Sequence, residues 1–192
     1  MEKIKGANRK LIQNAIDFAR KFMKLPANIE LYFEDCPSAR FPNESNAAEG
    51  EKDKIVFNKA WFYRSKNGHQ DDIEYYVFHE LRHVYQLNEI ELMKKGEQSN
   101  ETISTVELWR QEFDNYIYNI DERTKILNFN QEVEQDAYGY GLALLNMYYI
   151  KNRTFIFKYS MPAEAFAIAD ARSQKYYKEL PEFQKYIRDN YV

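Results

Sequence analysis

Apolar residues near the start of the chain recur first at helical spacing and then at strand spacing. Seven of them share one face between residues 7 and 25, which predicts an amphipathic helix that ends at Pro26. They are Leu11, Ile12, Ala15, Ile16, Ala19, Phe22 and Met23. Ile29, Leu31 and Phe33 then occupy alternate positions, which predicts a half-buried strand.

The segment that follows predicts a loop, a second strand and a polar turn. Residues 36–53 contain two prolines with several asparagines and serines, a composition typical of a loop. Residues 54–62 are rich in β-branched and aromatic side chains, which predicts a strand. Residues 64–70 are polar, include Gly68 and predict a turn.

Helical spacing of apolar residues predicts five further helices in the rest of the chain. They cover residues 71–87, 102–118, 131–149, 162–177 and 181–191. Residues 119–130 predict a connection, and residues 155–157 a short strand or turn. These elements indicate the α+β fold class, as a mostly helical domain with a small sheet beside the helix that contains residues 79–83.

Length and composition favour one globular domain. The chain has 192 residues, of which 44% are hydrophobic and 30% charged, enough for one well-packed core. We expect a single domain over residues 1–192, with its core at about residues 25–150 and a C-terminal helical extension over residues 151–192.

The charge and the scarcity of cysteine argue against several classes of function. A net charge of −3 disfavours direct binding of nucleic acid, because phosphate recognition needs a basic surface. Cys36 is the single cysteine, so it forms no disulfide within the chain. We expect its side chain to be buried and to pack like a small apolar residue. No stretch approaches 18 apolar residues and no secretory signal is present, so we expect a cytoplasmic protein without a membrane span.

Residues 79–83 form the motif HExxH inside one of the predicted helices. His79 and His83 are two of the three histidines of the chain, and their spacing of four places them on one helix face. Their imidazoles can bind one Zn²⁺ ion, and Glu80 can take a proton from a water molecule at that ion. This chemistry is metal-assisted hydrolysis, usually of a peptide bond. The alternative is a surface helix that carries these residues by chance.

A zinc site in a hydrolase usually has three protein ligands, and HExxH provides two. No histidine follows His83, so we expect a carboxylate as the third ligand. Glu132, Glu134 and Asp136 are the candidates, and their spacing on one helix leaves the choice open. Those that do not bind the metal can instead orient the histidines.

Three small residues on the same predicted helix, Ala137, Gly139 and Gly141, suggest that it lies close to the HExxH helix. Glycine inside a helix costs about 1 kcal/mol relative to alanine, and close contact between the helices would explain why it is tolerated.

The two motifs together resemble a known family. His79-Glu80-Leu81-Arg82-His83, followed by Glu134-Gln135-Asp136-Ala137 and by Leu144-Leu145, resembles the zincin metallopeptidases of the ImmA/IrrE type. The resemblance implies that His79, His83 and Glu134 bind Zn²⁺ and that Glu80 is the general base. It also implies a protein or peptide substrate, often a repressor or another regulator. Tyr138 differs from the Asn or Asp that is common at this position in the family.

We therefore expect a zinc-dependent metallopeptidase. The alternatives are a catalytically silent zincin-fold module that binds a partner, and a helical protein without metal. Tyr138, Tyr140 and His69 are candidates to stabilise the oxyanion of the reaction. The predicted strand 54–62 either binds extended substrate along a free edge or lies inside the sheet.

Overall fold

The structure, a computed structural model, describes residues 1–118, 121–149 and 163–191. The strands in these ranges are β1 (Glu2–Lys3), β2 (Glu30–Glu34), β3 (Ala48–Glu51) and β4 (Lys54–Asn58). The helices are α1 (Gly6–Ala19), α2 (Lys59–Gly68), α3 (Gln70–Lys94), α4 (Ile103–Asp114), α5 (Glu122–Phe129), α6 (Glu132–Tyr148), α7 (Ala163–Glu179) and α8 (Pro181–Tyr191). The predicted α+β fold class is confirmed.

The four strands form one mixed sheet in the order β1-β2-β4-β3. The central strands β2 and β4 are parallel, with Leu31 opposite Ile55 and Phe33 opposite Phe57, and all four of these side chains are buried. The outer strands β1 and β3 pair antiparallel with their neighbours. β3 therefore forms one edge of the sheet, and it packs against α3 at Gly50.

The predicted strand 54–62 and the turn after it differ from the structure. β4 ends at Asn58, whose side-chain oxygen accepts hydrogen bonds from the backbone N–H groups of Ala60 and Trp61. This N-cap starts α2, which continues to Gly68 and replaces the predicted polar turn. Because β4 pairs on both sides, it lies inside the sheet and does not offer a free edge to substrate.

Besides α2 and the two-residue strand β1, the elements β3 and α5 are absent from the prediction. β3 lies within the predicted loop 36–53, and its sequence Ala-Glu-Gly-Glu shows no alternation of apolar and polar residues. α5 lies within the predicted connection 119–130, and it begins with a capping box formed by Asp121 and Thr124. Its apolar residues Ile126 and Leu127 are exposed, so no buried stripe marks α5 in the sequence.

The two longest predicted helices of the site region are confirmed with shifted ends. α3 continues past residue 87 to Lys94, where Gly96 with φ +70° follows as a helix-ending residue. α6 matches the predicted helix 131–149 closely. α1, in contrast, ends at Ala19 and not near Pro26, although Phe22 and Met23 beyond it remain buried.

The close contact between α3 and α6 is confirmed at Gly141. A Cβ atom at this position would lie 3.1 Å from the backbone nitrogen of His79. The prediction is wrong for Gly139, which faces α7, where a Cβ atom would lie 2.5 Å from Cβ of Arg172. Gly141 therefore sets the distance between the two helices that carry the candidate ligands.

One hydrophobic cluster extends from Ile4 near the N-terminus to Phe183 in α8. α7 and α8 agree with the predicted helices 162–177 and 181–191, whereas the predicted strand or turn 155–157 lies outside the described residues. Cys36 is half-buried and not fully buried as expected. Of the helices that the structure describes, none has the length and apolar character needed to cross a membrane.

Candidate metal centre

α3 brings the two histidines of the HExxH motif together in a buried position. Both side chains are about 95% buried, and the Nε2 atoms of His79 and His83 lie 3.1 Å apart. α6 crosses α3 at this point and contributes Glu134. Its Oε2 atom lies 3.5 Å from Nε2 of His79, and its Oε1 atom lies 3.3 Å from Nε2 of His83.

These distances fit a small divalent cation. Nitrogen and oxygen ligands at about 2.0–2.2 Å from Zn²⁺ in a tetrahedron are separated from each other by about 3.3–3.5 Å. The two imidazole nitrogens lie 3.1 Å apart, and they lie 3.5 and 3.3 Å from two different oxygens of Glu134, distances close to the edges of that tetrahedron. Two imidazoles and one carboxylate are also a donor set that zinc accepts. The side chains therefore fit Zn²⁺.

The other two candidate carboxylates have different partners. Glu132 accepts hydrogen bonds of 2.6 Å from both terminal nitrogens of Arg172. Asp136 is buried and forms an ion pair with Arg82, whose Nε lies 2.7 Å from Oδ2. Successive residues of a helix are rotated by about 100°, so residues 132 and 136 face one way and residue 134 another. Of the three, the structure brings Glu134 to the histidines.

Glu80 lies beside the histidine pair and is held by strand β3. The backbone N–H of Gly50 donates a hydrogen bond of 2.6 Å to its Oε2 atom, while its Oε1 atom lies 3.9 Å from Nε2 of His79. Glu134 is thus nearer to His79 than Glu80 is, although an oxygen of Glu80 also lies within 4.8 Å of a nitrogen of each histidine. Burial raises the pKa of Glu80 to about 8. One oxygen of Glu80 is therefore anchored by β3, and the other lies on the side of His79.

The contact between Gly50 and Glu80 requires glycine. A Cβ atom at residue 50 would lie 2.6 Å from the backbone oxygen of Glu80. Only glycine at this position therefore lets β3 approach α3 this closely. We expect Gly50→Ala to destabilise the protein by about 1–3 kcal/mol, the usual cost of overpacking, in urea denaturation. The control is Gly68→Ala in α2, where no heavy atom lies within 4 Å. Equal stability of the two variants would contradict this packing.

His83 is oriented through Gln86. Nδ1 of His83 lies 2.8 Å from Oε1 of Gln86, whose Nε2 donates to Oδ2 of Asp136 at 2.7 Å and to the backbone oxygen of Val133 at 3.1 Å. Because the amide nitrogen faces two acceptors, Oε1 must accept and Nδ1 of His83 must carry a proton. Nε2 of His83 is then the nitrogen that faces Glu134 and a bound cation. Asp136 is thus connected to the candidate metal centre indirectly, through the side chains of Gln86 and His83.

The two histidines differ in charge. Burial, with the nearby charge of His83, lowers the pKa of His79 to about 3, so its imidazole is neutral. Burial also opposes the charge on His83, but the carboxylate of Glu134 outweighs it and raises the pKa of His83 to about 9. Nε2 of His83 must therefore release a proton when a cation binds.

Gln86→Leu is expected to weaken zinc binding by about 10–100-fold, the usual loss when the partner of a ligand histidine is removed. The leucine has similar volume but leaves Nδ1 of His83 without its acceptor. Isothermal titration with Zn²⁺ measures the effect, and Gln70→Leu, at an exposed position of the same helix, is the control. Equal affinities would show that Gln86 does not orient His83.

His79 is held mainly by packing. Its Nδ1 atom is buried and has no hydrogen-bond partner among the described residues. The ring of Tyr138 lies against its imidazole, with 4.3 Å between the ring centroids. Tyr138 therefore fixes the imidazole plane in place of a hydrogen-bonded partner.

The ligand atoms open into a cavity of about 260 Å³ between α3, α6 and the edge strand β3. Of the three oxyanion candidates, Tyr138 lines this cavity. The hydroxyl of Tyr140 donates to the backbone oxygen of Phe22 at 3.0 Å, on another face of α6, and His69 is exposed at the start of α3. Tyr140 and His69 therefore lie outside the cavity that the candidate ligand atoms face.

Tyr116, which the prediction did not include, lies at the candidate centre. Its hydroxyl donates a hydrogen bond to Oε1 of Glu134. Burial and the negative charge of Glu134 hold the pKa of Tyr116 well above its usual value, so the phenol stays protonated. Tyr116 follows the end of α4 in a segment without regular structure, and no periodic pattern identifies it.

No protein-family model, curated protein or solved structure matches the chain at a significant level. The resemblance to the ImmA/IrrE type therefore stays a prediction that depends on the two motifs. The function is inferred from the geometry of the centre alone.

A larger cavity, of about 1680 Å³, lies on the other face of α6. It contains the side chain of Arg82, which is stacked among the rings of Tyr85, Trp109 and Tyr140 and paired with Asp136. Neither histidine of the motif lines this cavity. The cavity beside β3 is therefore the candidate site.

Proposed function

We propose that this protein is a zinc-dependent metallopeptidase. The observation that supports this function is the convergence of His79, His83 and Glu134, with donor atoms 3.1–3.5 Å apart and the anchored carboxylate of Glu80 beside them. Zn²⁺ held by these three residues would supply a Lewis acid that lowers the pKa of water and polarises the peptide carbonyl.

Glu80 is the general base of the proposed reaction. Its Oε1 atom takes a proton from the attacking water while the water oxygen bonds to the carbonyl carbon and the π electron pair moves to the carbonyl oxygen. The same proton then passes to the amide nitrogen, and the C–N bond breaks. The Gly50 N–H, bonded to Oε2, keeps the carboxylate in place through both transfers.

The edge strand β3 supports an extended peptide as the substrate. The N–H of Gly50 points to Glu80 and away from β4, so backbone groups at alternate positions of β3, including those of Ala48, point the same way. Both residues line the cavity. An extended peptide pairing with this edge gains backbone hydrogen bonds without a demand for particular side chains, next to Glu80.

Metal analysis combined with digestion of a peptide library tests the proposal. The expected result is one zinc per chain and peptide cleavage that a chelator abolishes and added zinc restores. One zinc per chain without cleavage of any peptide would favour the silent binding module. A protein that binds no zinc after reconstitution would contradict both.

A further inference from the structure

The segment between α4 and α5 is fixed by two buried amide side chains. The backbone N–H of Ile117 donates to Oε1 of Gln131 at 2.9 Å. The backbone oxygen of Ile117 accepts hydrogen bonds from Nδ2 of Asn128 at 2.9 Å and from Nε2 of Gln131 at 3.2 Å. Asn128 and Gln131 are both more than 90% buried. Both backbone groups of Ile117 therefore have buried hydrogen-bond partners.

This anchoring places the hydroxyl of Tyr116 at the candidate centre. Nδ2 of Asn128 donates to the phenol oxygen at 3.1 Å, so the single phenol proton is directed at Oε1 of Glu134. That oxygen is the one 3.3 Å from Nε2 of His83. The ring of Phe113 stacks on the ring of Tyr116 at 6.0 Å and fixes its plane. A hydrogen-bond donor is therefore aimed among the ligand atoms and faces the cavity.

The other candidate donors are less suitable. Tyr138 lies with its ring against His79 on one side and against Phe129 on the other, with 5.3 Å between the latter centroids, so its position is set by ring packing. Tyr140 and His69 lie away from the cavity. The hydroxyl of Tyr116 makes none of the hydrogen bonds that hold the backbone of Ile117, and it points to the candidate centre.

We propose that Tyr116 is a catalytic residue, whose hydroxyl donates a hydrogen bond to the substrate carbonyl oxygen as that oxygen gains negative charge. This inference rests on the proposed peptidase function. As the water oxygen bonds to the carbonyl carbon, the π electron pair moves to the carbonyl oxygen, and the hydrogen bond of Tyr116 shifts to it from Oε1 of Glu134. The phenol keeps its proton throughout, and Asn128 keeps the phenol oriented.

Tyr116→Phe is expected to reduce kcat by about 10²–10³-fold, the usual effect of removing one oxyanion donor. Its KM should stay within about threefold of the wild type. Its zinc affinity should fall by about 10-fold, because the hydroxyl also donates to Glu134, so kcat is measured at saturating zinc. The matched control is Tyr140→Phe, which also removes a buried tyrosine hydroxyl and its hydrogen bond but lies outside the cavity. Its kcat should equal that of the wild type.

A binding measurement gives a readout that does not depend on turnover. N-phosphoryl-Leu-Phe carries tetrahedral phosphoryl oxygens that mimic the oxyanion. In calorimetry on zinc-loaded protein, Tyr116→Phe should bind it about 10²-fold more weakly than the wild type, whereas Tyr140→Phe should not differ. Asn128→Ala keeps the phenol but removes its anchor, and about 10-fold weaker binding is expected as for other supporting partners. This variant serves also if Tyr116→Phe fails to fold.

Two results would overturn the inference while leaving the peptidase intact. In one, Tyr116→Phe keeps kcat and binds N-phosphoryl-Leu-Phe as the wild type does. In the other, excess zinc restores the lost activity, which would make Tyr116 a positioning residue for Glu134. If zinc-loaded wild type neither cleaves peptides nor binds the phosphoryl dipeptide, the proposed function itself fails, and the role of Tyr116 fails with it.

Discussion

Glu80→Gln is expected to retain zinc and to lose peptide hydrolysis by about 10²–10⁴-fold, the contribution of a general base. Glutamine is nearly isosteric, and its amide oxygen can still accept the hydrogen bond from Gly50 that anchors Glu80. The three proposed ligands are unchanged, so zinc affinity should differ little. What the variant lacks is a group that can accept a proton at the position of Oε1.

Zinc titration and peptide cleavage, measured on the same preparation, check this result. The matched control is Glu91→Gln on the same helix, where the carboxylate pairs with Lys52 at the surface. Undiminished cleavage by Glu80→Gln would remove Glu80 from the mechanism. Loss of zinc together with cleavage would mean that Glu80 acts as a ligand.

The same substitution should change how stability depends on pH in chelator-treated protein. Burial raises the pKa of Glu80 from 4.5 to about 8, so the folded state binds a proton that the unfolded state has released. Stability from this group is therefore present below pH 4.5 and is lost as pH rises towards 8. Glu80→Gln lacks this loss, so its Tm should exceed that of the wild type at pH 8 and converge with it at pH 4.5. If the difference in Tm between the two proteins stayed the same from pH 4.5 to pH 8, the raised pKa of Glu80 would be contradicted.

Glu134→Gln is expected to weaken zinc binding by about 10²–10³-fold, because each ligand of a four-ligand site contributes roughly a quarter of the 10–16 kcal/mol of binding. A neutral amide neither balances the charge of the cation nor contacts both histidines as the carboxylate does. His83 would lose the group that raises its pKa, so its Nε2 would release a proton more easily, which opposes part of this loss. Calorimetric zinc titration measures the affinity.

Glu132→Gln is the matched control for this loss. It removes a carboxylate two residues earlier on the same helix, where the partner is Arg172 and not a histidine. Its zinc affinity should stay within about threefold of the wild type, since a half-exposed ion pair away from the site contributes little. A larger loss of zinc affinity in Glu132→Gln than in Glu134→Gln would show that Glu132, and not Glu134, is the third ligand.

The elements that carry the site were predictable because their apolar residues are periodic. α3 and α6 are long, have buried stripes and lack proline, so local sequence defines them. α2 depends on one capping residue, Asn58, and β3 on pairing with β4 across residues that show no alternation. Such elements are fixed by a single side chain or by a neighbour in space, and a sequence pattern does not contain that information.

The residues of the site likewise divide into those that sequence spacing identifies and those whose position depends on tertiary contacts. The spacing of His79 and His83 by four fixes their common face without knowledge of the fold. Glu134 was one of three candidates because the rotation of α6 against α3 depends on tertiary contacts such as that of Gly141. Gln86, three residues after His83, could have been found from helical spacing. Tyr116 could not, because a loop held by Asn128 and Gln131 determines its position.

Because α6 packs closely against α3 at Gly141, both helices are in place before a cation binds. His79 and Glu134 are attached to two helices that already pack against each other in the hydrophobic core, so binding of an ion should require no assembly of secondary structure. In this respect the protein would differ from zinc fingers, which fold only when loaded. Its circular dichroism spectrum should therefore be the same with chelator as with zinc.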